Sequence, residues 1–149
     1  MLYYTIRMNS GSESYALAVD GNNQREGSQL ILANVDPDSD LQLWEVSFYR
    51  SQWNVGVVLI NKHTGFMAAP ESLDQGARVI QFHIDLSIDD RHAWQTNVAG
   101  EFHTIMALLS DEMCLNAEGD SWSAGTPIIT WDWSQGQPNE LWMLTPVVR

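Results

Sequence analysis

Asp36, Asp38 and Asp40 recur at every second position, the spacing with which a calcium loop presents its first oxygen ligands. The sixth position of such a loop would be Leu41 instead of Gly, and the twelfth Ser47 instead of Glu. The segment therefore reads as a solvated acidic turn. His63, His83, His92 and His103 show no H-x-x-x-H spacing on a helix, and Cys114 is the lone cysteine, so no zinc site is expected. Gly119-Asp120-Ser121-Trp122 carries a Gly-x-Ser but lacks the G-x-S-x-G frame and the strand-to-helix context that expose a nucleophile. A turn between two strands explains it. Cys114, between Met113 and Leu115, reads as a small buried hydrophobe. The sequence thus predicts no catalytic site, no metal and no cofactor. What it offers chemically is polar groups beside aromatic rings, with Trp122, Trp131 and Trp133 close together.

The elements that must position these groups repeat along the chain. Gln42-Leu43-Trp44, His92-Ala93-Trp94 and Glu140-Leu141-Trp142 place tryptophans 50 and then 48 residues apart. Each tryptophan opens a strand-like stretch: WEVSF, WQTNV and WMLTP. Ahead of each lies a loop rich in Asp, Ser, Pro or Gly, at 36–40, 85–90 and 133–139. Further upstream come a β-rich run (29–35, 78–84, 127–133), a turn glycine (Gly27, Gly76, Gly125) and a short apolar strand (15–19, 65–69, 113–117). Each unit opens with another strand, at 3–8, 53–61 and 101–109. Four strands in three units predict twelve, with almost no helix signal and frequent Gly and Pro. Such units suit a barrel capped by hairpins; a propeller, the alternative for four-stranded repeats, normally has more blades. Trp44, Trp94 and Trp142 are expected in the core, while Trp53 and Tyr3 are left open between core and surface.

At 149 residues, 44% hydrophobic and 17% charged, the chain fits one globular domain, 1–149, with repeats near 1–50, 51–99 and 100–149. A net charge of −12 repels phosphate backbones and anionic membranes, so no nucleic-acid partner is expected. No apolar run reaches the ~18 residues of a membrane helix, so no membrane insertion is expected. The first residues read as a strand, with no signal peptide, which predicts a cytoplasmic protein or one released without a leader.

The thrice-repeated Q-x-W pattern, here QLW, HAW and ELW, resembles the ricin B-like (R-type) lectins along the whole chain. The resemblance implies an all-β fold, the β-trefoil, with twelve strands in three pseudo-symmetric repeats. One of the three motifs keeps Gln, which marks a divergent member. The family binds galactose- and GalNAc-type sugars, up to one per repeat, through an Asp on the second strand, an aromatic on the third and an Asn shortly before the last tryptophan. Polar groups hydrogen-bond the hydroxyls while the ring covers the sugar's apolar face.

Carried over by position, the third repeat matches best: Asn116 at the Asp position, Trp131 at the aromatic and Asn139 at the Asn. Asp120, Trp122, Asp132 and Trp133 are further candidates beside them. The second repeat offers weaker ones, Phe82, His83 and His92, with Ala69 and Arg91 at the polar positions. The first has Ala18, Ala33 and Leu41, with Asp20 as a possible substitute. The resemblance thus implies a non-enzymatic lectin with one main site, glycan or glycoprotein partners, and a possible homo-oligomer that raises avidity. The competing reading is a protein-binding β-trefoil such as a protease inhibitor, acting through a loop such as 36–40.

Overall fold

The computed structural model describes residues 1–9, 14–84, 88–99, 101–134 and 136–147. The loops expected at 85–90 and 133–139, and the boundary near 99–100, therefore lie partly outside the described residues. Twelve strands form. They are β1 (Tyr3–Met8), β2 (Tyr15–Ala18), β3 (Ile31–Asn34), β4 (Trp44–Arg50), β5 (Val55–Asn61) and β6 (Met67–Pro70). The rest are β7 (Val79–Phe82), β8 (Trp94–Ala99), β9 (Phe102–Ala107), β10 (Met113–Ala117), β11 (Ile128–Asp132) and β12 (Trp142–Val147). All pairings between them are antiparallel. Strands β1, β4, β5, β8, β9 and β12 pair in a closed ring, because β12 returns to β1. Closure leaves this barrel no edge strand. The hairpins β2–β3, β6–β7 and β10–β11 form the remaining layer.

The hairpins bond to one another around a pseudo-threefold axis. Gly27 N–H donates to Gln81 O, Gly76 N–H to Thr130 O and Gly125 N–H to Leu32 O, at 2.8, 2.7 and 2.8 Å. All three glycines have positive φ, 85°, 79° and 95°, a conformation that costs Gly little and other residues more. These contacts also explain why the strands of the third position are shorter than the β-rich runs predict. Leu30 N–H and Gln81 N–H bond to Val79 O and Ser28 O of neighbouring hairpins, so the run at 29–35 is β3 only from Ile31. The run at 53–61 is strand only from Val55, because Ser51 and Asn54 close a turn on each other.

Trp44, Trp94 and Trp142 are fully buried in one cluster with Leu17, Leu59, Ile105 and Leu115. Their indole N–H groups, which burial would otherwise leave unsatisfied, donate to Leu17 O, Ala68 O and Leu115 O at 3.0, 2.8 and 3.0 Å. Each ring thereby ties the start of a barrel strand to its own hairpin. Immediately before each tryptophan comes a short 3₁₀ turn: Asp40–Gln42, Asp90–His92 and Pro138–Glu140. Among the described residues there is no α-helix, and no helix long and apolar enough to cross a membrane. Trp53 is exposed and Tyr3 half-buried. Trp94→Ala should cost about 3–5 kcal/mol of stability in urea unfolding, through the cavity it leaves and the orphaned Ala68 carbonyl.

Candidate functional site

The first residue of each Q-x-W motif does one job with three chemistries. Gln42 accepts from Asp36 N–H at 2.7 Å and donates to Asn34 O at 2.9 Å, pinning the loop between them. His92, at the same place in the second repeat, accepts from Asp89 N–H through Nδ1 at 3.2 Å. Glu140 is fully buried, and its carboxylate accepts from the N–H groups of Ser134, Gly136 and Gln137 at 2.8–3.0 Å. A carboxylate cannot donate as Gln42 does. Ser134 Oγ makes up the difference, donating to Asp132 O at 3.1 Å. Cys114 Sγ lies 3.6 Å from the same carboxylate; burial first, then that charge, pushes the thiol up to about 12, far from a reactive thiolate.

This anchoring sets Asn139 against the β10 hairpin. Its Nδ2 donates to Asn116 Oδ1, Ala117 O and Gly119 O at 2.9, 2.8 and 3.1 Å. The two backbone carbonyls fix the amide's orientation, since only its nitrogen end can face them. Asn139 Oδ1 is then left to accept from a ligand, while the buried Asn116 amide also hydrogen-bonds the Cys114 thiol and has its second N–H to offer. Asn116 follows Leu115, whose carbonyl holds the Trp142 indole, so core and site share one short segment.

Asn116, Asn139, Asp120 and Trp131 line one cavity of about 560 Å³ with Gly76, Glu118, Gly119 and Ile129. The volume falls within the usual range for small-molecule pockets. Trp131 is 41% exposed. Its ring lies against Gly76 of the second repeat, where an added Cβ would sit 3.6 Å from Cζ3. The floor of the platform is therefore bare backbone. Glu118 and Asp120 place two carboxylates at the rim, and no Lys, Arg or His is among the residues that line the cavity.

The other third-repeat candidates stand outside this lining. Trp122 is half-buried against the core and donates from Nε1 to Gly119 O at 3.1 Å, bracing the loop that carries Asp120. Asp132 follows Trp131 on β11 and so faces the opposite side of the sheet. Its Oδ1 is buried without a partner among the described residues. Trp133 is half-buried near Gly136, and its backbone N–H donates to Glu112 O. In the second repeat Phe82 meets the His92 ring edge-on at 5.2 Å, and His83 is exposed, with Nδ1–H donating to Ile84 O. Arg91 pairs with Asp89 at 2.8 Å. In the first repeat Ala18 is buried, and Asp20 lines a separate cavity of about 560 Å³ with Arg25 and Arg78.

Sequence reasoning missed Gly76 and Glu118. Gly76 was visible as a turn glycine repeated in every unit, but that it floors the next repeat's pocket follows from the threefold packing.

Several solved structures share this fold. A designed threefold-symmetric protein, ThreeFoil, superposes with a TM-score of 0.80 at 25% identity, over 96% of this chain and 97% of that one. The C-terminal half of an earthworm R-type lectin, solved with GalNAc, gives 0.67 at 22% identity over 99% and 100%. The fold is the ricin B-like β-trefoil. It also occurs as a part of larger chains. An exo-β-1,3-galactanase from Clostridium thermocellum matches with a TM-score of 0.82 at 20% identity, over 99% of this chain but 30% of the enzyme. No protein-family model matches the sequence, and no curated protein resembles it significantly.

Asn139→Asp should destabilise the protein by about 1–3 kcal/mol in urea, because it turns a carboxylate toward the Ala117 and Gly119 carbonyls and removes their donor.

Proposed function

We propose that this protein is a carbohydrate-binding lectin that takes a galactose- or GalNAc-type sugar in the third repeat. The observation that carries the reading is the half-exposed indole of Trp131 lining one cavity together with the Asn116–Asn139 amide pair. The ring covers the C–H face of a pyranose, while Asn139 Oδ1 accepts from a hydroxyl and Asn116 Nδ2 donates to one. Binding one sugar in such an open pocket needs no nucleophile and no acid–base pair, so the activity is recognition without turnover. The neighbours support carbohydrate binding as a class: a β-trefoil of this kind was solved with GalNAc. At the other two positions Ala33 has no ring, and Phe82 is paired with His92.

The rim charges select among glycans. Two carboxylates at ~6 Å from an anionic sugar in water oppose it by about 0.7 kcal/mol each, roughly tenfold together at low salt. The site therefore favours neutral sugars over sialylated or sulfated ones by up to about tenfold at low salt.

A glycan array tests both statements. Wild type is expected to bind galactose- or GalNAc-terminated glycans and Trp131→Ala to lose the third repeat's share of that binding. The double variant Glu118→Gln/Asp120→Asn should gain roughly tenfold toward acidic glycans while keeping the neutral ones. Absence of glycan binding by wild type at high protein density would replace the lectin reading with a protein-binding one.

A further inference from the structure

The β4–β5 hairpin is longer than the barrel requires. From Trp44 to Ile60, which pairs with Met67, is sixteen residues; from Trp94 to its counterpart Met106, which pairs with Cys114, is twelve. The β8–β9 hairpin closes the same barrel position without the extra four. The surplus is the end of β4, the turn 51–54 and the start of β5, and it carries Trp53, whose side chain is 83% exposed.

The extension is held in one place. Tyr49 OH and Asn54 Nδ2 donate to the two oxygens of Asp90 in the second repeat, each at 2.7 Å. Those bonds, with one from Ser51, keep the Asp90 carboxyl below its ordinary range, while burial and the nearby carboxylate raise Tyr49, so donor and acceptor keep their roles. Arg91 is aligned by Asp89 through Nε and Nη2, which leaves Nη1 without a bond among the described residues. Trp53, Tyr49, Asp90, Arg91 and Leu109 border a cavity of about 390 Å³.

We propose that this cavity is a second carbohydrate-binding site, its platform Trp53 lying off the threefold positions, with Asp90 and the second repeat's corner residue Arg91 as its polar partners. An indole beside a fixed acceptor and a fixed donor fits an uncharged sugar, which offers C–H faces and hydroxyls together. A protein partner fits less well. Stable interfaces cover about 800 Å² on each side around an apolar centre, whereas Trp53 and Leu109 are the large apolar groups here and charged residues border them. Phe48 precedes Tyr49 on β4, so it points to the opposite side. A second copy of the chain would bring another net charge of −12.

The seven indole N–H signals of the ¹⁵N-labelled protein provide the test, with Trp53 assigned through Trp53→Phe. Galactose, N-acetylgalactosamine, glucose, mannose and N-acetylglucosamine are each titrated to about 100 mM, far above a millimolar affinity. The expected result is a saturable shift of the Trp53 signal with at least one sugar. It should persist in Trp131→Ala and weaken at least about fivefold in Arg91→Ala, as expected for losing a charged donor. If Trp53 moves and Trp131 does not, this site stands while the third-repeat reading falls. A Trp53 signal unmoved by every sugar overturns the proposal, whatever Trp131 does. So does one that shifts with protein concentration in the absence of sugar, which would mark a self-association surface.

Discussion

A buried indole N–H has to find an acceptor, and in this fold it finds one three times in the same way. Trp44, Trp94 and Trp142 reach back 27, 26 and 27 residues to a carbonyl on the second strand of their own repeat. That bond seats each hairpin on the barrel. It also fixes what comes next along the chain: positions 18, 69 and 116 follow the accepting residue, and positions 41, 91 and 139 lie three residues before the tryptophan. The two polar corners of a potential pocket are thus set by the core, and each repeat then differs in what it places there.

The differences are chemical, not architectural. The third repeat has amides at both corners and an indole between them. The second has Ala69 and Arg91, with Arg91 engaged by Asp89 and Phe82 turned edge-on to His92. The first has small or aliphatic groups at all three positions. Symmetry of the backbone therefore coexists with asymmetry of the surface. The positions that hold the fold together are buried and alike, and those that face solvent are free to diverge. The longer β4–β5 hairpin belongs to the same pattern, since the barrel closes elsewhere without it.

The fold was legible because its signals are periodic. Equal tryptophan spacing, turn glycines at matching offsets and alternating apolar strands agree with one another, and their agreement specifies a single topology. The corners Asn116 and Asn139 and the ring of Trp131 were legible only through the resemblance to a lectin family, since nothing in their spacing along the chain makes Asn116 and Asn139 neighbours. Less legible still was the direction of side chains one step away. Asp132 and Trp133 follow Trp131 directly in sequence, yet strand alternation and the end of β11 keep them out of the cavity lining. Trp122 is adjacent in sequence to the Asp120 loop but spends its N–H on Gly119. Gly76 and the nest around Glu140 depend on contacts between distant segments, which a linear reading does not contain.

On the proposed function, one repeat carries an assembled sugar site built on Trp131. A crystal structure of the protein soaked with N-acetylgalactosamine at a concentration far above millimolar tests it most directly. The expected result is a pyranose ring stacked on Trp131, with hydroxyls at Asn139 Oδ1 and Asn116 Nδ2. A Trp131 left bare while sugar occupies the Ala33 or Phe82 position, or no sugar anywhere on the protein, would contradict it.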